Sequence, residues 1–204
     1  MSKMVRGCLI GILACLSLLT AAQAAGALTV SPSGAYTAAS RGSTLLTFAS
    51  TGQSLTCTSS QIGATISSNG SGTSPAGSFD ARGCSNVLLG AYTITQTSAW
   101  RVNVLRTALT DGRALVGLDM TIPTGGVQIR NSACTYTLSG TINLGRLFTG
   151  PLPVTIMVVD TFSVLSSRLT TDSAPGCSAL ITVVGLTSTY TGTYSLNRGL
   201  TVSG

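Results

Sequence analysis

Histidine and glutamate are absent from the 204 residues, and lysine occurs once, at Lys3. These absences remove most catalytic devices. A Ser-His-Asp triad needs an imidazole, a Schiff base needs an amine, and a penicillin-binding-type site needs Ser-x-x-Lys. Zinc finds neither a histidine nor a C-x-x-C spacing, and no D-x-D-x-D loop offers calcium its oxygen cage. The expectation is a non-enzymatic chain with no catalytic residue, no metal ligand and no cofactor.

Charge is scarce as well, at 8% of residues. Beyond the first segment, nine arginines from Arg41 to Arg198 stand singly against five aspartates, a net charge of +4. No basic tract forms, so the clustered basic face that nucleic acid requires is not predicted. Weak charge combined with 44% apolar residues also excludes ordinary disorder, which pairs low hydrophobicity with high charge. Solubility must come from Ser, Thr, Asn and Gly, a composition that suits β-structure.

The opening segment reads as a secretory leader. Lys3 and Arg6 precede an apolar run from Cys8 to Leu19, and small residues end in Ala22-Gln23-Ala24. A signal peptide over 1–24 and a single secreted domain over 25–204 are expected. The apolar run is shorter than the ~20 residues a membrane span needs, and no later stretch is long enough, so no transmembrane segment should remain after cleavage. Processing at "ILAC" (12–15) is the alternative that would leave a lipidated Cys15.

Four cysteines follow the leader: Cys57, Cys84, Cys134 and Cys177. In an exported chain they read as two disulfides, and spacing alone leaves three pairings open. An internal echo selects among them. "CTSSQIGATI" at 57–66 resembles "CTYTLSGTI" at 134–142, and "GCS" at 83–85 recurs at 176–178, giving a strand cysteine then a loop cysteine in each half. The expected bridges are Cys57–Cys84 and Cys134–Cys177, within a pseudo-repeat of 28–110 and 111–204.

Apolar residues recur at every second position in "SACTYTLSGTINLG" (132–145), "AWRVNVLR" (99–106) and "STYTGTYSLN" (188–197), the period of a half-buried strand. "VTIMVVDTFSVL" (154–165) is more continuously apolar and predicts a strand covered on both faces. Turn signals at "SPSG" (31–34), "SNGSGTSPAGS" (68–78), "TDGR" (110–113), "PTGG" (123–126), "TGPLP" (149–153) and "SAPG" (173–176) separate the runs. "NGS" at 69–71 fits a glycosylation acceptor but reads as part of such a turn. The predicted fold is all-β: an antiparallel β-sandwich or barrel with Greek-key-like connections and two disulfides, preceded by a signal-peptide helix.

Among the five aspartates, Asp119 and Asp160 fall inside apolar runs, where charge needs a partner. An Asp-based hydrolase would bring them within about 5–10 Å across one cleft. The simpler expectation gives each an arginine, a hydroxyl or backbone amides, with Asp80, Asp111 and Asp172 serving turns. Thr93/Thr95, Thr135/Thr137 and Thr189/Thr191/Thr193 repeat T-x-T, expected to be solvent faces of strands rather than one array matched to an ordered surface. Trp100, Tyr190 and Tyr194 alternate on the apolar side and are expected in the core, not on a sugar-stacking surface. The arm Leu28 to Val30 is expected to add as a strand to its own sheet, the alternative being a neighbour's.

The leader, "LTCT" at 55–58, the later "GC" at 83–84, Trp100 after it, the second cysteine pair with its "GCS" and "TGTY" at 191–194 together resemble exported bacterial alkane-oxidation activator (PraB-like) proteins. The likeness spans residues 28–200, and the scattered arginines depart from it. It implies an exported, cell-surface or biofilm-associated protein and transfers no site residue. The function expected is therefore a secreted structural or interaction protein of the cell surface or extracellular matrix, partnered by itself or by surface components. The alternative is an extracellular binding module for a glycan or a small apolar ligand, which needs an exposed aromatic row or a concave pocket.

Overall fold

Alternation of apolar with hydroxyl side chains becomes strand almost everywhere it occurs. The computed structural model describes residues 28–49, 51–109, 111, 113–148, 156–177 and 184–204, so the expected signal peptide and Cys15 lie outside the described residues. Among the described residues there is no helix, and the strands in chain order are β1 (Thr29–Ser31), β2 (Gly34–Ser40), β3 (Thr44–Phe48), β4 (Ser54–Cys57), β5 (Ser59–Ile66), β6 (Ser71–Ser74), β7 (Phe79–Arg82), β8 (Cys84–Asn86), β9 (Gly90–Gln96), β10 (Trp100–Ala108), β11 (Ala114–Arg130), β12 (Thr135–Phe148), β13 (Ile156–Ser173), β14 (Thr187–Thr191) and β15 (Thr193–Ser203).

β11, β12 and β13 are the longest, at 17, 14 and 18 residues, and form a continuous front wall. Their outer members change partner along their length. The upper part of β11 pairs with β10 and its lower part with β9, while β13 pairs with β15 above and β14 below. Following the upper pairings from β13 through β15, β2, β5, β6, β10, β11 and β12 returns to β13. The lower circuit through β14, β3, β4, β8, β9, β11 and β12 also returns to it. One antiparallel sheet therefore closes on itself twice, with β7 tying β5 to β9 between the two circuits. Closure pairs backbone groups that an open sheet leaves at its edges.

The inner faces meet in one apolar core that draws on both circuits. Trp100, Val102 and Val104 of β10 point inward, as do Tyr136, Leu138, Ile142 and Leu144 of β12. The arm pairs with its own chain: Thr29–Ser31 lies antiparallel to β15, and the Val30 amide donates to the Ser68 carbonyl at 2.7 Å. Both expected disulfides are present, Cys57–Cys84 and Cys134–Cys177. Two disulfides fit an oxidising extracellular or periplasmic compartment. No helix among the described residues is long and apolar enough to cross a membrane.

Four local readings are corrected. From Ile156 to Leu165 the run is not covered on both faces: Met157, Val159 and Phe162 point inward, whereas Ile156 and Val158 are 62% and 61% exposed and Leu165 is exposed too. Its continuous apolarity is a core face plus aliphatic side chains turned to solvent. "PTGG" does not end a strand but lies within β11 as a register shift between Ile122 and Val127. "SNGSGTSPAGS" is not one long turn, because Ser71–Ser74 forms β6 between two short turns. Cys84 is the first residue of a strand rather than a loop residue, and Cys134 immediately precedes one. Asn69 does sit in a turn, where its Oδ1 accepts the Ser71 amide at 3.0 Å.

Candidate functional site

The aspartates are dispersed. Asp119 lies opposite Asn143, whose Nδ2 donates to Asp119 Oδ1 at 2.8 Å. Asn143 in turn lies opposite Ser166, six positions along β13 from Asp160. At ~3.3 Å per residue that is about 20 Å of strand, beyond the reach of a paired-carboxylate cleft. Asp160 is exposed and pairs with Arg146. Asp80 pairs with Arg82 at 2.7 Å, and hydrogen bonds from Arg113 hold the Asp111 carboxyl below the usual carboxylate range. Asp172 braces the β11 bulge instead: Oδ2 accepts the Gly125 amide at 2.7 Å and Oδ1 the Ser139 hydroxyl at 2.6 Å. Among the described residues, no three His, Cys, Asp or Glu side chains gather as a metal-binding group.

Inside the barrel is an apolar void of ≈ 70 Å³, lined by Leu46, Ile62, Trp100, Leu118, Phe162 and Tyr194 among others. Pockets for drug-sized ligands are several times larger, and even a benzene-binding cavity measures about 150 Å³. Its hydroxyl-bearing edge is a cluster from three strands: Ser60 Oγ lies 2.7 Å from Tyr194 Oη and 3.2 Å from Tyr190 Oη, and the two phenols bond each other. Burial pushes the Tyr194 phenol well above the usual range. Tyr136, edge-on to Phe48 and Tyr92, is likewise shifted up by burial, and its hydroxyl has no partner.

The outer wall has a different character. All four Phe, five Tyr and one Trp of the chain are described, and none is exposed, so no aromatic row faces solvent for sugar stacking. Trp100 is buried and donates Nε1–H to the Gly126 carbonyl at 3.1 Å; Tyr194 is buried and Tyr190 half-buried. Apart from Thr193, which opens β15, the T-x-T residues fall on outer positions of β9, β12 and β14, separated by β11 and β13 around a closed ring rather than laid side by side. Exposed aliphatic side chains complete the surface: Leu105, Leu147, Ile156, Val158 and Leu165 on the upper wall, and Val87, Leu88 and Val184 on loops.

Two organising residues escaped the sequence reading. Gln96 is buried and uses its whole amide. Nε2 donates to the Ser74 and Ser98 carbonyls at 3.1 and 3.0 Å, and Oε1 accepts the Phe79 amide at 2.8 Å and the Ser78 hydroxyl at 3.1 Å. Asn86, also buried, accepts the Leu88 and Leu89 amides at 2.9 and 3.2 Å and donates to the Ser54 carbonyl at 2.8 Å. The signal for Asn86 was available, since Asn opening a four-residue link to Gly90 is turn chemistry. Gln96 carried none, because apart from the nearby Ser98 carbonyl its partners are Ser74, Ser78 and Phe79, 17 to 22 positions away. Set against known proteins, the chain matches no family model, no curated protein and no solved structure.

Proposed function

We propose that this chain is an exported, disulfide-stabilised structural or interaction protein of the bacterial cell surface or extracellular matrix. The observation that carries this reading is the division between an apolar interior whose void is too small for a drug-sized ligand and an outer wall that turns Ile156 and Val158 to solvent. Monomeric proteins seldom leave neighbouring aliphatic side chains, such as Ile156 and Val158 on one face of β13, uncovered without a contact for them to make. The leader-like first segment, the two cross-links and the resemblance to PraB-like proteins support export. Dispersed aspartates support a role other than hydrolysis.

Fractionation of a native culture, followed by non-reducing gels and electron microscopy of the recovered protein, tests the proposal. The expected result is protein in the surface or matrix fraction that forms higher-order species with both disulfides intact. Monomers confined to the periplasm would overturn the matrix reading.

A further inference from the structure

Backbone register lays six exposed side chains in one row across the outer wall. Thr65 of β5 stands opposite Thr73 of β6, Thr73 opposite Arg101 of β10, Arg101 opposite Thr121 of β11, Thr121 opposite Thr141 of β12, and Thr141 opposite Arg168 of β13. All six are exposed, while the next residues along the last four strands, Val102, Ile122, Ile142 and Leu169, are buried. Adjacent strands lie ~4.8 Å apart, so the two arginines stand about 14 Å from each other along the wall, with two threonines between them.

The row is cationic without a counter-ion. Arg82, Arg113 and Arg146 pair with Asp80, Asp111 and Asp160, whereas the Arg101 and Arg168 side chains have no such partner among the described residues. Two carboxylates stand near the row, and both are engaged within the wall. Asp119, opposite Asn103, accepts Asn143 Nδ2 at 2.8 Å, and Asp172, four positions past Arg168, accepts the Gly125 amide and the Ser139 hydroxyl. At its Thr65 end the row enters an open groove of ≈ 620 Å³, where Ser33, Ser67, Ser71 and Asn103 join Thr65, Thr73 and Arg101, and no carboxylate or aromatic ring lines it.

We propose that this strip binds an acidic polysaccharide, the carboxylates of its uronic acid units meeting Arg101 and Arg168 and its hydroxyls meeting the threonines and the groove. Charge complementarity carries the choice. A guanidinium presents five N–H donors in a fork that matches a carboxylate, and neither fork is taken by the protein's own aspartates. A neutral glycan would leave both guanidiniums without a counter-charge and would find no exposed aromatic ring to stack on. Nucleic acid fits worse: a duplex carries one charge per ~1.7 Å and single strands are held by stacking on aromatics, whereas here two separated cations stand in a row of hydroxyls. The inference rests on the surface-or-matrix reading and names its partner.

Biolayer interferometry on immobilised polygalacturonate tests it, using the full chain recovered from an exporting host with both disulfides intact, and dextran and duplex DNA as comparison surfaces. In low salt the parent should bind polygalacturonate more tightly than either. Arg101→Gln and Arg168→Gln should each raise Kd about three- to fivefold, and the two together about tenfold or more, the scale of exposed charge contacts. Thr121→Val with Thr141→Val keeps side-chain shape, removes the two hydroxyls between the arginines, and should weaken binding at an unchanged melting temperature. Arg130→Gln removes the same charge at the end of β11, beside Thr93 and Thr135 and off the row, and should bind as the parent. A parent that ignores polygalacturonate, holds dextran as tightly or prefers DNA would overturn the proposal. So would a double-valine variant that binds as the parent, or an Arg130→Gln variant that loses as much as Arg101→Gln, which would reduce the contact to net charge. Protein found in the matrix fraction that ignores polygalacturonate sinks the polysaccharide contact alone; binding by a protein that native cells keep in the periplasm sinks the matrix reading instead.

Discussion

Two buried tyrosines of this barrel make opposite use of their hydroxyls. Tyr194 shares a three-hydroxyl cluster with Ser60 and Tyr190, whereas the Tyr136 hydroxyl has no partner. Tyr194→Phe leaves the buried Ser60 hydroxyl poorly paired and should destabilise by about 1–2 kcal/mol in urea unfolding. Tyr136→Phe removes an unsatisfied polar atom and should be neutral or stabilising, within about 1 kcal/mol of the parent. Burial also raises both phenols above their ordinary 10.0, so above that pH the folded chain keeps protons that the unfolded chain releases. Their contribution is complete below about pH 10 and is lost as pH rises further, by about 1.4 kcal/mol per pH unit for each phenol that stays protonated. Urea midpoints at about pH 9 and pH 11 should show the parent losing more stability than Tyr194→Phe; equal losses would mean that the buried phenol ionises normally. Which side chains face inward was legible at this scale, Trp100 and Tyr136 being cases where period-two spacing sufficed. The hydroxyl partners were not, because Ser60 and Tyr194 stand 134 positions apart and meet only when the sheet closes.

At the scale of elements, β11 shows what punctuation residues can and cannot reveal. Pro123-Thr-Gly-Gly126 has the composition of a turn, and a turn was the natural reading. In the fold these residues sit where β11 passes from its β10 neighbour to β9, and the extra length bends the strand at that handover. Local composition cannot separate a bulge from a hairpin, since both need Gly and Pro; the distinction lies in strands that arrive from elsewhere. Ile156 and Val158 illustrate the same limit, because apolarity alone did not say which face would be covered. Opposite the bulge, Gly140 has φ +135°, and a Cβ there would press on the Arg168 carbonyl oxygen and stand 3.0 Å from the Leu169 Cα. Both obstacles are backbone. Gly140→Ala should therefore cost more than about 2 kcal/mol, read as a lowered urea midpoint with an unchanged m-value. Asp172→Ala should act more locally, raising hydrogen exchange at the Gly125 amide, whose acceptor it removes, well before exchange rises in β15.

The whole molecule is held by closure and by two cross-links that act at different places. Strand content, antiparallel pairing and the disulfide partners could be read from alternation and from the Cys-Thr and Gly-Cys-Ser echoes. The double circuit could not, because nothing local to β11, β12 or β13 records that each runs past two sets of neighbours. Cys57–Cys84 joins the adjacent strands β4 and β8 with both residues buried, while Cys134–Cys177 ties the start of β12 to the β13–β14 connection and leaves Cys177 only half-buried. Their sequence separations, 27 and 43, give loop-entropy contributions of about 3.6 and 4 kcal/mol, too close to rank the bridges. Access decides their order of reduction instead, because a thiolate must reach a sulfur before exchange can begin. Under mild reductant without denaturant, alkylation and mass analysis should find Cys134 and Cys177 modified first, with Cys57 and Cys84 protected until the barrel unfolds. Modification of all four cysteines at one rate would mean that the β13–β14 connection opens only with the barrel as a whole.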